Sequence, residues 1–236
     1  MLKFHKLEKQ KLVTFANFYF IEQEPNFYYH YLLISGCWRN EEEMMAASNE
    51  LLAFYSTPDS LPILTSFYLF TTDDFLKKSI IIGIDKALND ENFSNITSEQ
   101  LVILQDNLIE MLTHESDPFL LSDIGIFIHT MLTKFKNTWP SLDNYIYSCD
   151  NYDKDYFYVL TNYMVETKTE EDCNEFIEFA YPKLQFVFQN DTSLTTQLSV
   201  FCFITTASIK LNQRYLLWEF VEPFKNFFQK VCINAD

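Results

Sequence analysis

Apolar residues fall at Leu101, Leu104, Leu108 and Leu112, and again at Leu120, Ile124, Phe127, Ile128, Met131 and Phe135. Steps of three and four residues gather side chains on one side of an α-helix, and no alternating strand pattern of comparable length competes. Polar punctuation agrees with the stripes. Asn40 with Glu43, Thr97 with Gln100, and Thr169 with Asp172 follow the capping-box spacing or a near variant, while Thr57-Pro58 and Asp117-Pro118 read as cap-then-proline starts. Together these signals predict a lysine-rich first helix over about 5–22, then helices near 27–37, 41–56, 58–71, 73–89, 97–116, 117–136, 140–148, 153–167, 169–190, 193–211 and 213–233. No Ser/Gly-rich linker interrupts them, so the expected organisation is a single all-α domain over 1–236, with residues 1–25 holding the first helix.

Four prolines precede apolar helical segments: Pro62 in LPILTSFYLF, Pro140 in WPSLDNYI, Pro182 in YPKLQFVF and Pro223 in EPFKNFFQKV. Their separations are 78, 42 and 41 residues, so the first is close to two steps of the others. A period near 40 residues is that of HEAT and armadillo arrays, in which each helical hairpin buries its apolar face only by stacking on its neighbours. The expected fold is therefore an α-solenoid of about six HEAT-type hairpins in a right-handed superhelix, with each proline tilting or starting a first helix. On this reading Trp139 packs between hairpins.

Composition restricts the chemistry. The chain is 48% hydrophobic and 17% aromatic, enough to fill a large core, while 3 Gly and 7 Pro leave little for tight turns or glycine-rich phosphate loops. With 33 acidic and 17 basic residues the net charge is −16, which repels nucleic acid and favours basic protein partners. Cys37, Cys149, Cys173, Cys202 and Cys232 form no metal-like spacing with the histidines and read as reduced core thiols. No apolar run approaches 18 residues, so neither a signal peptide nor membrane insertion is expected, and the predicted location is cytoplasmic and nuclear.

The sequence has no nucleophile elbow, H-E-x-x-H, P-loop or dinucleotide fingerprint. His114, Glu115 and Asp117 at a helix junction read as a cap with solvated charges, and Asp73-Asp74 and Glu170-Glu171-Asp172 suit helix N-termini. No enzyme activity, metal or cofactor is expected.

The stretch from Arg39 to Leu88 resembles the N-terminal region of the importin-β (karyopherin-β) family of nuclear transport receptors, with the importin-5-like branch the nearest. The likeness is carried by Ala46-Ala47, Leu51-Leu52, Thr72-Asp73-Asp74 and Lys77-Lys78-Ser79-Ile80-Ile81. TSEQLVILQDNLIEMLTHES, DIGIFIHTMLTKF and Trp139-Pro140 are similar to the family's third repeat and the Trp-Pro after it, and YPKLQFVFQND and EPFKNFFQKV extend the likeness towards residue 236. The resemblance implies a binding protein that engages the GTP form of the small GTPase Ran, basic protein cargo and nucleoporins. Glu41-Glu42-Glu43 stands where the family has a basic residue, which moves the expected contact strip to the following second helices. There the apolar stripes turn Lys78 and Asp85, then Asp123 and Thr130, outward. The alternative is a scaffold or adaptor of the same fold without Ran dependence. In the final helix Phe220, Phe224, Phe227 and Val231 share a face with Phe228 beside it, so Phe224, Phe227 and Phe228 are candidates for a self-association or partner patch that would make the chain a homo-oligomer.

Overall fold

A computed structural model describes residues 41–89, 95–135, 139–169, 171–190, 193–210, 212 and 214–233. Of these, 84% are helical, in eleven helices without a strand. The expected helices over 5–22 and 27–37, and the Asn40 cap, lie outside the described residues. The chain groups into two compact units, Met1–Ser116 and Asp117–Asp236.

In the first unit α1 spans Glu41–Tyr55, α2 Ser60–Phe70, α3 Asp74–Asn89 and α4 Ser98–His114. The sequence SLPILTSFYLF is apolar all round, and a helix of that kind belongs in the interior. Every residue of α2 from Ser60 to Tyr68 is accordingly buried, and α2 packs against both α3 and α4. Its hydroxyls avoid an unpaired state by turning onto their own backbone: Thr65 Oγ1 donates to the Leu61 carbonyl at 2.9 Å and Ser66 Oγ to the Pro62 carbonyl at 2.8 Å. The Asn107 amide of α4 then donates to both hydroxyl oxygens, at 2.9 and 3.1 Å, which ties α4 to α2. On α3 the stripe Leu76, Ile80, Ile84 and Leu88 is buried as its spacing predicts. Gly83 lies on the same side because a Cβ there would stand 3.0 Å from the Tyr55 ring and 3.3 Å from Leu64. The Thr97–Gln100 capping box is complete, with Gln100 N donating to Thr97 Oγ1 at 3.3 Å and Thr97 N to Gln100 Oε1 at 2.9 Å.

The second unit holds α5 (Pro118–Lys134), α6 (Pro140–Ser148), α7 (Lys154–Thr167), α8 (Cys173–Gln189), α9 (Leu194–Lys210), α10 (Tyr215–Glu219) and α11 (Val221–Ile233). Asp117 caps α5 by accepting from Phe119 N at 2.8 Å, with Pro118 in the first turn. Helix α7 is the centre, packed between α5 and α9. Tyr156 Oη donates to the Ile146 carbonyl at 3.0 Å and Tyr163 Oη to Asp143 at 2.6 Å, so α6 runs antiparallel to α7. Gly125 of α5 allows the Tyr158 ring of α7 to approach within 3.0 Å of where a Cβ would be. Trp139 is buried ahead of α6, its indole N–H donating to Ser141 Oγ at 3.1 Å.

The prolines take both expected positions, and two helix bounds depart from the sequence reading. Pro62 and Pro223 fall in the first turns of α2 and α11, and Pro140 begins α6, but Pro182 lies inside α8. It sits inside the helix expected over 169–190, as a proline that tilts rather than starts a helix, and it leaves the Glu178 carbonyl without its usual helical donor. The segment near 213–233 is two helices rather than one, because Pro223 likewise removes the donor for Glu219 and crowds its carbonyl. The chain turns at Phe220, whose N–H bonds back to the Leu216 carbonyl at 3.3 Å. Helix α8 also begins later than the sequence suggests. The Thr169–Asp172 contact forms, with Thr169 Oγ1 donating to Asp172 Oδ2 at 2.8 Å, but regular helix starts only at Cys173.

Candidate partner-binding surfaces

The capped, amphipathic α3 buries its leucine and isoleucine stripe and leaves Lys78 and Asp85 exposed on the same helix. In α5 the burial of Leu120, Ile124, Phe127 and Met131 leaves Asp123 and Thr130 only half-buried. Thr130 Oγ1 donates to the Ile126 carbonyl at 2.9 Å. Lys78 and Asp85 thus belong to one unit, and Asp123 and Thr130 to the other.

At the C-terminal end the face proposed for association is largely used within its own unit. Phe201 of α9 stacks on Phe224 with ring centres 3.9 Å apart and meets Phe227 edge-on at 4.7 Å. Phe220 and Phe227 are buried and Phe224 is half-buried. Phe228 remains 59% exposed, and Trp218 of α10 is 79% exposed. The open apolar surface at this end is therefore centred on Trp218 and Phe228, beside the face that the sequence spacing singled out.

Two clusters escape sequence reasoning. The first corrects the view of Glu115 as a solvated charge. Its side chain is only 5% exposed, its Oε2 accepts from Lys77 Nζ at 2.7 Å and from Tyr68 Oη at 2.5 Å, and its Oε1 accepts from Ser116 N at 2.7 Å. The cluster pins α2, α3 and the end of α4 at one point. The second surrounds Lys183, which is 8% exposed. Its ammonium lies 4.4 Å from the Tyr152 ring centre, 4.7 Å from Phe179 and 5.7 Å from Tyr156, and donates to Tyr152 Oη at 3.1 Å. Among the described residues no carboxylate pairs with it, so the ring quadrupoles stand where an anion would.

Beside this cage, burial pushes the Cys149 thiol up from its ordinary value, and burial likewise raises the Tyr145 and Tyr156 phenols. A thiol held in its protonated form is the reverse of an activated nucleophile. The cysteines are also not uniformly core thiols, since Cys202 is exposed on α9 and Cys149 is half-buried. Periodicity could have flagged Cys202, because it sits between Phe201 and Phe203, both turned inward. Among the described residues, no group of three or more His, Cys, Asp or Glu could hold a metal ion, and no helix is long and apolar enough to cross a membrane. Compared with known protein families, curated proteins and solved structures, the chain matches none.

Proposed function

We propose that this chain is a helical protein-binding module that takes a basic protein partner on its first unit. The observation that carries the reading is the distribution of charge. Residues 40–116 hold fourteen acidic and three basic side chains. Glu42, Glu50, Asp74, Asp85, Glu99, Asp106 and Glu110 are all exposed, against exposed Lys78 and Lys86, and Lys77 is engaged by Glu115. A surplus of exposed carboxylates of this size raises the encounter rate with lysine-rich segments and selects against phosphate backbones. Titration calorimetry with a lysine-rich peptide and its glutamate-substituted counterpart tests this. Binding confined to the basic peptide and weakened by salt is expected, and equal binding of both peptides would refute it.

The resemblance of Arg39 to Leu88 to transport receptors supports a narrower form, in which the module engages the GTP form of Ran and carries basic cargo between cytoplasm and nucleus. Exposed Lys78 and Asp85 on α3 are the residues favoured for that contact, with Asp123 and Thr130 on α5 as the second pair. Pull-down with Ran in both nucleotide states decides the matter: preference for the GTP form, lost on Lys78→Glu with the fold intact, is the expected result. Equal binding of the two forms removes the transport reading and leaves a scaffold or adaptor for complex assembly.

A further inference from the structure

The end formed by α10 and α11 is nearly neutral in a strongly acidic chain. Residues 210–236 hold four basic and three acidic side chains, a net of +1, so residues 1–209 carry −17 of the total −16. Trp218 and Phe228 are the most open apolar side chains at this end, with Leu217, Val221 and Val231 also exposed and Arg214 and Tyr215 beside them. Trp, Tyr and Arg are the side chains that dominate the centres of protein interfaces. Val221, Lys225 and Phe228 stand at i, i+4 and i+7 on α11 and so form one line. Scaled from the ~150–250 Å² of a full aromatic side chain, the five apolar residues leave on the order of 500 Å² uncovered. Two such patches face to face bury about 1,000 Å², the area at which specific interfaces begin.

We infer that this end docks on the same end of a second copy about a two-fold axis, giving a closed dimer. Charge selects that occupant. Lys225 pairs with Glu222 at 3.5 Å, and exposed Glu219 offsets exposed Arg214, so the patch offers no net charge to a basic or an acidic partner. Two copies meet there without pressing their negative surfaces together. The order of residues is also self-complementary. Pro223 lies midway between Trp218 and Phe228, and Glu222 and Lys225 straddle the same place. A two-fold axis near Pro223 therefore lays Trp218 of one copy on Phe228 of the other and sets each Glu222 beside the other copy's Lys225. Such an interface uses the same patch on both copies, so association stops at two. The contact involves neither a basic partner nor a GTPase.

Sedimentation equilibrium of the purified chain is expected to show 28.1 kDa monomers passing to dimers with a Kd of about 1–100 μM. Because no net charge is matched across the contact, raising ionic strength from about 0.05 M to about 0.5 M is expected to change that Kd by less than about threefold. Trp218→Ala is expected to weaken the dimer at least about tenfold. Glu222→Lys and Lys225→Glu each set like charges across the axis and are expected to weaken it about threefold or more. Mixing these two variants sets two lysines against two glutamates and is expected to restore the wild-type Kd. Both lose the pair within their own chain, so restoration reports a contact between copies. All three positions are exposed, and circular dichroism checks that the variants remain folded. A wild-type chain that stays monomeric at about 1 mM overturns the inference, even if it binds an apolar peptide through Trp218. So does growth beyond two copies, a Trp218→Ala chain that dimerises as well as the wild type, a mixture no tighter than its components, or a tenfold weakening by salt.

Discussion

Lys77 in the first unit and Lys183 in the second are both drawn in from solvent, and the two units neutralise them by different chemistry. Lys77 meets a carboxylate, Glu115, at 2.7 Å with Tyr68 donating to the same oxygen. Lys183 meets the faces of Tyr152 and Phe179 and a single hydroxyl. The contrast extends to the two cores. The first unit buries hydroxyls and an amide among aliphatic side chains, with Ser60, Thr65, Ser66, Thr71 and Gln105 all inside. The second unit also buries Thr196, Gln197 and Ser208, but it draws more of its interior from rings, from Tyr156 and Phe157 in α7 to Phe203 in α9 and Phe220 ahead of α11, where the first unit has Phe54, Phe67 and Tyr68. A lysine held by an anion leaves a bare charge behind when its partner goes, whereas one held by rings leaves only a gap when it goes itself.

The largest effect is expected at the aromatic junction of the second unit. Phe201 is buried against Phe188, Phe224 and Phe227, so Phe201→Ala removes the ring that holds α11 to α9 and is expected to cost about 3–5 kcal/mol in chemical denaturation. Hydrogen exchange is expected to place the loss in α9–α11 first. Equal acceleration in α2 would show that the distinction between the units has no energetic counterpart.

Next in size is Glu115→Ala, which leaves the Lys77 ammonium and the Tyr68 hydroxyl without their acceptor. Because Lys77 keeps 20% exposure, water relieves part of the penalty, and a loss of about 2 kcal/mol is expected rather than the larger value of a sealed pair. Lys183→Met should separate the two chemistries. It keeps most of the side-chain volume and strands no described carboxylate, so the expected change is within about 1 kcal/mol. A loss at Lys183 as large as that at Glu115 would mean that the rings contribute as an anion does.

The smallest effect is a rate difference between thiols. Cys202 is exposed, while burial raises the Cys149 thiol and reduces its reactive thiolate at mildly alkaline pH. Peptide mapping after brief alkylation with iodoacetamide at pH 8 is expected to find Cys202 labelled well ahead of Cys149. The reverse order would show that the Cys149 loop opens readily.

Helix positions were readable because their signals are local. The expected helix at 140–148 and the observed Pro140–Ser148 coincide, and the helix at 41–56 ends one residue earlier, at Tyr55. Thr97 with Gln100 and Asp117 with Pro118 signal their own caps within three residues. That Pro182 lies inside α8, within the helix expected over 169–190, was legible for a related reason. Pro182 stands before an apolar run as the other three do, but apolar residues also precede it, at Phe176, Ile177 and Ala180, and these keep the helix going through it.

What the sequence determined by itself is the all-helical character of the described chain, the bounds of most helices and the buried stripes of α3, α4 and α5, because hydrogen bonding and amphipathic spacing act over one or two turns. Which helices meet, and in what register, was decided only in three dimensions. Glu115 finds Lys77 and Tyr68 across 38 and 47 residues, and Lys183 finds Tyr152 across 31. A solvated carboxylate and a buried one have the same neighbours in the chain. The difference lies in the surfaces that α2, α3 and α4 bring together, and the same packing settles that Phe227 is covered by Phe201 while Phe228, one residue on, faces outward.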